Sequence, residues 1–106
     1  MNERRAAPRH FLVLGAEVFD EKSRTKANAR TTDVSRTGCY LDTMNPFIAG
    51  TIIRLKLTLN GEAFESRGQV AYTAQGMGMG IAFLEPDPAQ IVILDRWLAE
   101  APLLVA

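Results

Sequence analysis

Two short polar motifs contain the residues of this sequence that are best suited to chemistry. The first is an R-x-x-x-R pattern running from Arg5 to Arg9, and the second is D-x-S-x-x-G over residues 33–38. Guanidinium groups match phosphate oxygens and the O6/N7 edge of guanine, whereas a carboxylate accepts hydrogen bonds from guanine N–H groups. A glycine lets the backbone approach a bound molecule closely. The combination predicts a site for a planar, anionic ligand with guanine-like edges.

The two motifs differ in how specific they are. An R-x-x-x-R pattern arises often by chance, and by itself it fits a solvated basic arm equally well. The broader pattern [D/N]-x-S-x-x-G, of which the second motif is an example, is expected only about 0.02 times by chance in a chain of this composition. Asp33 and Ser35 also fit an Asx-type turn between two strands. The turn and the binding site are compatible, because a turn that satisfies its own backbone can still present a side chain.

Composition limits the classes of function. The chain has 106 residues, 47% of them hydrophobic, and a formal net charge of zero, so we expect one globular domain that is not a general polyanion binder. Any anion site must come from local clustering, such as Arg4, Arg5 and Arg9 in the first ten residues. One cysteine and no signal-peptide pattern predict a reducing, cytoplasmic location. The apolar run at 11–14 is too short to insert into a membrane.

Hydrophobic patterning predicts six strands and one helix. Residues 51–59 alternate most clearly, and Asn60-Gly61 after them is typical of a type I′ hairpin turn. Asp87 is the predicted N-cap of the helix, Pro88 suits its first position, and Gln90 completes a capping box. The predicted strands cover residues 11–19, 25–34, 39–41, 51–59, 62–73 and 77–84.

Short antiparallel strands separated by frequent turn signals favour closure into a barrel. We therefore predict a mainly all-β fold, a six-stranded antiparallel β-barrel with one C-terminal α-helix. Residues 1–10 are assigned to a flexible basic arm, residues 11–99 to the barrel and helix, and residues 100–106 to a tail.

Several single residues have simple structural interpretations. We expect Cys39 to be small and buried, His10 to be a solvent-exposed neighbour of Arg9, and Met77 and Met79 to fill the core. One histidine and one cysteine do not make a metal site. Ser35 has no evident basic partner and the carboxylates form no acid–base pair, so the sequence predicts no enzyme and no cofactor.

A third motif identifies a family. Residues 78–83 read Gly-Met-Gly-Ile-Ala-Phe, a G-[apolar]-G-[apolar]-x-F pattern. With R-x-x-x-R just before the first strand and D-x-S-x-x-G about two strands later, the chain resembles the PilZ domain, the bacterial receptor module for cyclic di-GMP. The resemblance extends from Arg4 to about Leu98. Taken without the family, Gly78 and Gly80 indicate a bulge or close packing near a helix.

The resemblance implies a role for each motif residue. Arg5 and Arg9 would fold over cyclic di-GMP on the outer surface of the barrel, reading a guanine edge and holding phosphate. Asp33 would accept from guanine N–H groups, Ser35 would donate to the ligand, and Gly38 would shape the turn. It also implies ligand-binding positions at Arg4, Tyr72 and Gly80.

Two of these positions have open interpretations. An arginine at position 4 would let the arm grip a stacked ligand dimer, so either one ligand or a stacked pair is expected. Tyr72 suits a stacking platform for guanine and packing within the barrel equally well.

The expected output is contact with a downstream protein that the sequence does not identify, after the ligand orders the arm. The alternative is a PilZ-like adaptor that binds a protein and no nucleotide. A barrel that binds single-stranded nucleic acid would need a basic groove with several aromatic residues. Zero net charge and 8% aromatic residues argue against that class, so no nucleic acid is expected.

Overall fold

The computed structural model describes residues 7–104, which form seven β-strands and one α-helix. The strands are β1 (His10–Phe11), β2 (Gly15–Asp20), β3 (Lys26–Val34), β4 (Gly38–Asp42), β5 (Ile52–Leu59), β6 (Glu62–Ala74) and β7 (Gly78–Leu84), and the helix is α1 (Pro88–Glu100).

The six longer strands close into an antiparallel barrel. Their order around the barrel is β3-β2-β5-β6-β7-β4, and β3 also pairs with β4 to complete the circle. The two-residue strand β1 is added beside β3. The predicted fold, a six-stranded antiparallel barrel with a C-terminal helix, is therefore confirmed.

Alternation along the strands builds the core. In β5, Ile53, Leu55 and Leu57 are each at most 2% exposed, whereas the residues between them face outward. The inward side chains of the other strands complete the barrel interior around Phe64, and Leu94, Trp97 and Leu98 of α1 are also buried. Each fully buried side chain of this size contributes about 1.5–3 kcal/mol relative to exposure.

The hairpin between β5 and β6 has the predicted turn. Asn60 and Gly61 both have positive φ angles, 50° and 84°, as a type I′ turn requires. Eight residue pairs follow from this turn in unbroken register, from Leu59↔Glu62 to Ile52↔Gln69.

The predicted strand over residues 11–19 is wrong in being continuous. The chain leaves regular pairing at residues 12–14 and re-enters it at Gly15. The cause is Thr31, whose buried hydroxyl accepts from the Leu14 amide at 2.8 Å and donates to the Leu12 carbonyl at 2.7 Å. A side chain thus satisfies backbone groups that a ladder would otherwise pair.

The start of α1 differs from the predicted capping box. Asp87 occupies the N-cap position and Pro88 follows it, but the Asp87 side chain makes no cap hydrogen bond. Gln90 does not reach back to the N-cap, because its Oε1 accepts from the Glu65 amide of β6 at 2.7 Å. The side chain that was expected to close the helix end instead fixes the helix to the barrel.

Two expectations for single residues are also corrected. Met79 is 1% exposed and fills the core, but Met77 is 66% exposed in the turn before β7. His10 is only half-buried rather than exposed, and its Nδ1 donates to the Ala101 carbonyl at 3.0 Å. Cys39 is buried as expected.

Candidate functional site

Four residues from four strands form one row across the outer face of the barrel. Asp33 of β3 pairs with Tyr40 of β4, Tyr40 pairs with Gly80 of β7, and Gly80 pairs with Tyr72 of β6. Three of these residues, Asp33, Tyr72 and Gly80, are candidate site residues from the sequence, and the first and last of them are 47 positions apart. Strand register alone therefore brings them together.

Two β-bulges turn the ends of this row outward. The register shifts between Thr31 and Asp33 in β3 and between Val70 and Tyr72 in β6, so each strand carries one extra residue there. Thr31 and Val70 point into the barrel and are each 1% exposed. In a regular strand the residue two positions later would point inward as well. The extra residues, Thr32 and Ala71, reverse that direction and place Asp33 and Tyr72 on the surface.

An ion pair between Arg9 and Asp33 joins the two sequence motifs. Nε and Nη2 of Arg9 both donate to Oδ1 of Asp33, at 3.1 and 2.7 Å. The Asp33 side chain is 16% exposed and that of Arg9 is 54% exposed, so the pair lies at the mouth of the site. The hydrogen bond with Asp33 is the main cause that raises the pKa of Arg9 above its ordinary value.

Ser35 and Gly38 form the turn between β3 and β4. The Ser35 hydroxyl accepts from the amides of Thr37 and Gly38 at 3.1 and 3.2 Å, and the Ser35 amide donates to the Gly38 carbonyl. Ser35 is 7% exposed. The turn is therefore organised by the serine rather than by Asp33, which leaves the carboxylate available to Arg9.

Glycine is needed at two positions because other groups occupy the space of a side chain. A Cβ at Gly38 would overlap the Ile81 carbonyl oxygen, and a Cβ at Gly80 would overlap the ring of Tyr72. Gly80 thus packs against an aromatic ring rather than near the helix, and its role is to let Tyr72 lie flat on β7. The bulge anticipated in this region belongs to the neighbouring strand β6.

Tyr72 presents an aromatic surface beside the ion pair. It is 49% exposed, and its ring stacks with that of Tyr40 at a centroid distance of 6.2 Å and an interplanar angle of 29°. Burial, followed by the nearby Tyr72, Asp42 and Asp33, raises the pKa of Tyr40.

Tyr40 was not among the residues singled out from the sequence. A signal was available, since the apolar neighbours Cys39 and Leu41 alternate with it and are buried. That alternation places Tyr40 on the outer face, two positions after the end of the D-x-S-x-x-G motif.

A surface cavity of about 280 Å³ covers this region. Six of the eight sequence-predicted site residues line it: Arg9, Asp33, Ser35, Gly38, Tyr72 and Gly80. The other residues that line it are Ala7, Thr37, Cys39, Ala71, Ile81 and Ala82. Arg4 and Arg5, the remaining two, lie outside the described residues.

Among residues 7–104, no group of three or more His, Cys, Asp or Glu side chains is arranged to hold a metal ion. Burial, with a smaller effect of Asp33, raises the pKa of the Cys39 thiol far above its ordinary value, which keeps the sulfur protonated and unreactive. Within the described chain, no helix has the length and apolar character needed to cross a membrane.

Comparison with solved structures places the fold in a class of small closed barrels with a C-terminal helix. The inhibitor of motility MotI/DgrA of Bacillus subtilis superimposes with a TM-score of 0.75 at 17% identity, over 92% of this chain and 51% of that one. This chain therefore spans about half the length of the Bacillus subtilis protein.

Two isolated domains match over most of their own length. The PilZ domain of YcgR from Escherichia coli, solved with c-di-GMP, gives a TM-score of 0.74 at 15% identity, over 92% of this chain and 90% of that one. The PilZ domain of CeSA from a cellulose-synthesizing bacterium gives 0.68 at 18% identity, over 86% and 94%.

The family follows from the sequence itself. The family model of the PilZ domain matches residues 3–100, which is nearly the whole chain. The chain belongs to the PilZ domain family, a family of cyclic di-GMP receptors. A search of curated proteins found no match.

Proposed function

We propose that this PilZ domain binds cyclic di-GMP at the row formed by Asp33, Tyr40, Gly80 and Tyr72, with Arg9 lying over it. The observation that supports this most directly is the ion pair between Arg9 and Asp33, which joins two motifs separated by 24 positions. An arm that is only solvated would not be expected to form an ion pair with Asp33, the carboxylate that the β3 bulge turns to the surface.

The ion pair leaves hydrogen-bonding capacity on both partners. Both donors of Arg9 go to the same oxygen of Asp33, and among the described residues no hydrogen bond involves Nη1 of Arg9 or Oδ2 of Asp33. A guanidinium group has five N–H donors and a carboxylate has about four acceptor positions. Arg9 would donate to phosphate or to the O6/N7 edge of a guanine, while Asp33 accepts from guanine N–H groups.

The aromatic surface gives the base a place to stack. Tyr72 would stack on one guanine, supported by Gly80 beneath its ring and by Tyr40 beside it. Base–aromatic stacking contributes about 1–3 kcal/mol per base. Ser35 and Gly38 would hold the wall of the site through their turn, with any contact from the Ser35 hydroxyl to the ligand an additional one.

The cavity accounts for part of the ligand only. Its volume of about 280 Å³ lies just below the usual range of ligand pockets, about 300–1,000 Å³. We propose that Arg4 and Arg5 hold the rest by folding over the ligand, either as one molecule or as a stacked pair. The ordered arm and the ligand would then form the surface that a partner protein recognises.

Isothermal titration of the full chain with cyclic di-GMP tests the proposal. Selective binding in the micromolar range or tighter is expected, with no heat from GTP or cyclic di-AMP. Arg9→Ala and Asp33→Ala should each abolish measurable binding while the fold survives. Arg54→Ala, on the opposite side of the barrel, is the matched control and should bind normally.

The stoichiometry and the arm are read from further experiments. A ratio near two ligands per chain would support a stacked pair, and Arg4→Ala should return it to one. Trypsin cleavage after Arg4 or Arg5 should slow on addition of cyclic di-GMP if the arm becomes ordered. Absence of binding by the unmodified chain would contradict the proposal and favour a nucleotide-independent adaptor.

A further inference from the structure

The segment after α1 returns to the start of the barrel and pairs with the residues around Arg9. The Phe11 amide donates to the Pro102 carbonyl at 2.8 Å, and the Leu104 amide donates to the Arg9 carbonyl at 2.9 Å. These two bonds flank an antiparallel bridge between His10 and Leu103. Residues 101–104 are called the return segment below.

Strand β1 therefore has a partner on each side. It pairs with β3 through His10↔Val34 and Phe11↔Asp33, and with the return segment through the bridge at His10. A two-residue strand with one partner is short even for an edge strand, and such pairing is marginal in water. The return segment adds two backbone hydrogen bonds and the bond from His10 to Ala101.

The return segment is held by its backbone rather than by its side chains. Leu103 is 58% exposed and Leu104 is 44% exposed, so neither contributes to the core. Burial of apolar side chains is therefore not what holds this segment in place. What the segment does fix is the carbonyl of Arg9, one residue from the start of β1.

We propose that the return segment is a positioning strand for Arg9 and so sets the affinity of the site. The effect on affinity rests on the proposed function, because it assumes that cyclic di-GMP is the ligand. The positioning of Arg9 by the return segment does not depend on that assumption. Arg9 is fixed at two points, its backbone carbonyl by Leu104 and its guanidinium by Asp33. Without the hydrogen bond from Leu104, the backbone at Arg9 is held less firmly, and the guanidinium group is less often in place beside Asp33. The fraction of chains that are competent to bind the ligand is then lower.

By linkage, the same coupling works in both directions. A ligand that holds Arg9 in place also favours pairing of the return segment, because both belong to the same state of the arm. The end of α1 is then coupled to the ligand through the return segment, which begins at Ala101, the residue that directly follows the helix and accepts from His10.

A pair of variants at one position tests the proposal. Leu104→Pro removes the amide that donates to Arg9, whereas Leu104→Ala keeps the amide and removes only an exposed side chain. We expect Leu104→Pro to weaken cyclic di-GMP binding roughly three- to ten-fold, the effect of one lost hydrogen bond, and Leu104→Ala to bind as the unmodified chain does. Equal affinity of the two variants would overturn the proposal.

A second measurement needs no ligand. Nε–H of Arg9 donates to Asp33, so its solvent exchange, followed by ¹⁵N NMR, reports whether the side chain is in place. Exchange should be slow in the unmodified chain and in Leu104→Ala, and several-fold faster in Leu104→Pro. Slow exchange in Leu104→Pro would refute positioning whatever the ligand does. Faster exchange there, together with no ligand binding by the unmodified chain, would uphold positioning and refute the proposed function.

Discussion

At the scale of single residues, the candidate site depends on contacts that its residues make with one another and with the backbone, and not only on groups that could face a ligand. Gly80 matters to the candidate site because it has no side chain, and this allows the Tyr72 ring to lie against β7. Ser35 serves the backbone of its own turn, and Asp33 is free of that turn because the serine satisfies it. Gly80 and Ser35 thus contribute to the candidate site through their effect on Tyr72 and Asp33.

The contact between Gly80 and Tyr72 predicts a strong coupling. Gly80→Ala should destabilise the domain by about 1–3 kcal/mol, because the added methyl group overlaps the Tyr72 ring. In a Tyr72→Ala background the same substitution should cost much less, since the ring is gone. Chemical denaturation of the four proteins measures the coupling. An equal cost in both backgrounds would mean that the ring is not what requires glycine.

The turn formed by Ser35 gives a second prediction. Ser35→Ala leaves the amides of Thr37 and Gly38 without their acceptor in a largely buried turn, which should cost about 1–3 kcal/mol of unfolding free energy. Ser66→Ala is the control, because the Ser66 hydroxyl donates to a carbonyl at an exposed position. If the two variants were equally stable in denaturant, the turn would not depend on its serine.

Residue types allowed the buried Cys39 and the residues that line the candidate site to be predicted, but not the direction of each side chain. Asp33 is two positions after the inward-facing Thr31, and alternation alone would bury it. The extra residue that reverses this direction has no distinctive composition, since it is an ordinary Thr32 opposite a regular β4. Bulges depend on how two strands meet, and one strand read alone does not show them.

At the scale of elements, α1 is attached to the barrel by polar contacts as well as by its apolar face. Glu62 at the start of β6 accepts from Arg96 at 2.7 Å and from the Trp97 indole N–H at 3.3 Å. Gln90, in the first turn of the helix, accepts from the Glu65 amide of β6, and Asp95 accepts from Arg36 of the β3–β4 turn. The helix is therefore tied to the site at the turn that contains Ser35.

The attachment through Glu62 predicts a pH dependence. The hydrogen bond from Arg96, followed by that from Trp97, lowers the pKa of Glu62 below its ordinary value of 4.5. A carboxylate whose pKa is lower in the folded state stabilises the fold above the unfolded-state pKa, and this contribution is lost as the pH falls through the folded-state value. Glu62→Gln should therefore be less stable than the unmodified protein at pH 7.

Denaturation at several pH values checks this expectation. The difference between Glu62→Gln and the unmodified protein should shrink as the pH falls below about 4.5 and vanish once Glu62 is protonated. In an Arg96→Met background the pH-dependent part should be largely absent. A difference that stayed constant from pH 7 to pH 3 would contradict the assigned cause.

The positions of the strands and the helix could be predicted from the periodicity of the sequence, whereas the break in the first predicted strand and the cap of the helix could not. The alternating residues of β5 and the Asn60-Gly61 turn are local signals, and both elements appear where predicted. The break at residues 12–14 is caused by Thr31, which is about twenty positions away in sequence. The predicted capping box is absent for a similar reason, because the Gln90 side chain accepts a hydrogen bond from the Glu65 amide of β6. Tertiary contacts decided both cases.

At the scale of the whole molecule, a ligand that binds only the folded chain must raise its stability. At a concentration of one hundred times its dissociation constant, cyclic di-GMP should add about 2.7 kcal/mol to the unfolding free energy. For a domain of this size that corresponds to a rise in melting temperature on the order of 10 °C. Asp33→Ala should show no rise, and neither should GTP with the unmodified protein. No shift for the unmodified protein at high ligand concentration would count against the site.

Closure of the barrel has a consequence for colloidal behaviour. A chain with a net charge of zero lacks the electrostatic repulsion that normally keeps protein molecules apart at neutral pH. Open sheets in such a protein would associate edge to edge through their unpaired backbone groups. Here each of the six long strands has a neighbour on both sides within the barrel. The strand added beside β3 is only two residues long, and the return segment, which contains Pro102, covers its other side at His10. The fold therefore resists fibrillar self-association by geometry where charge gives no protection.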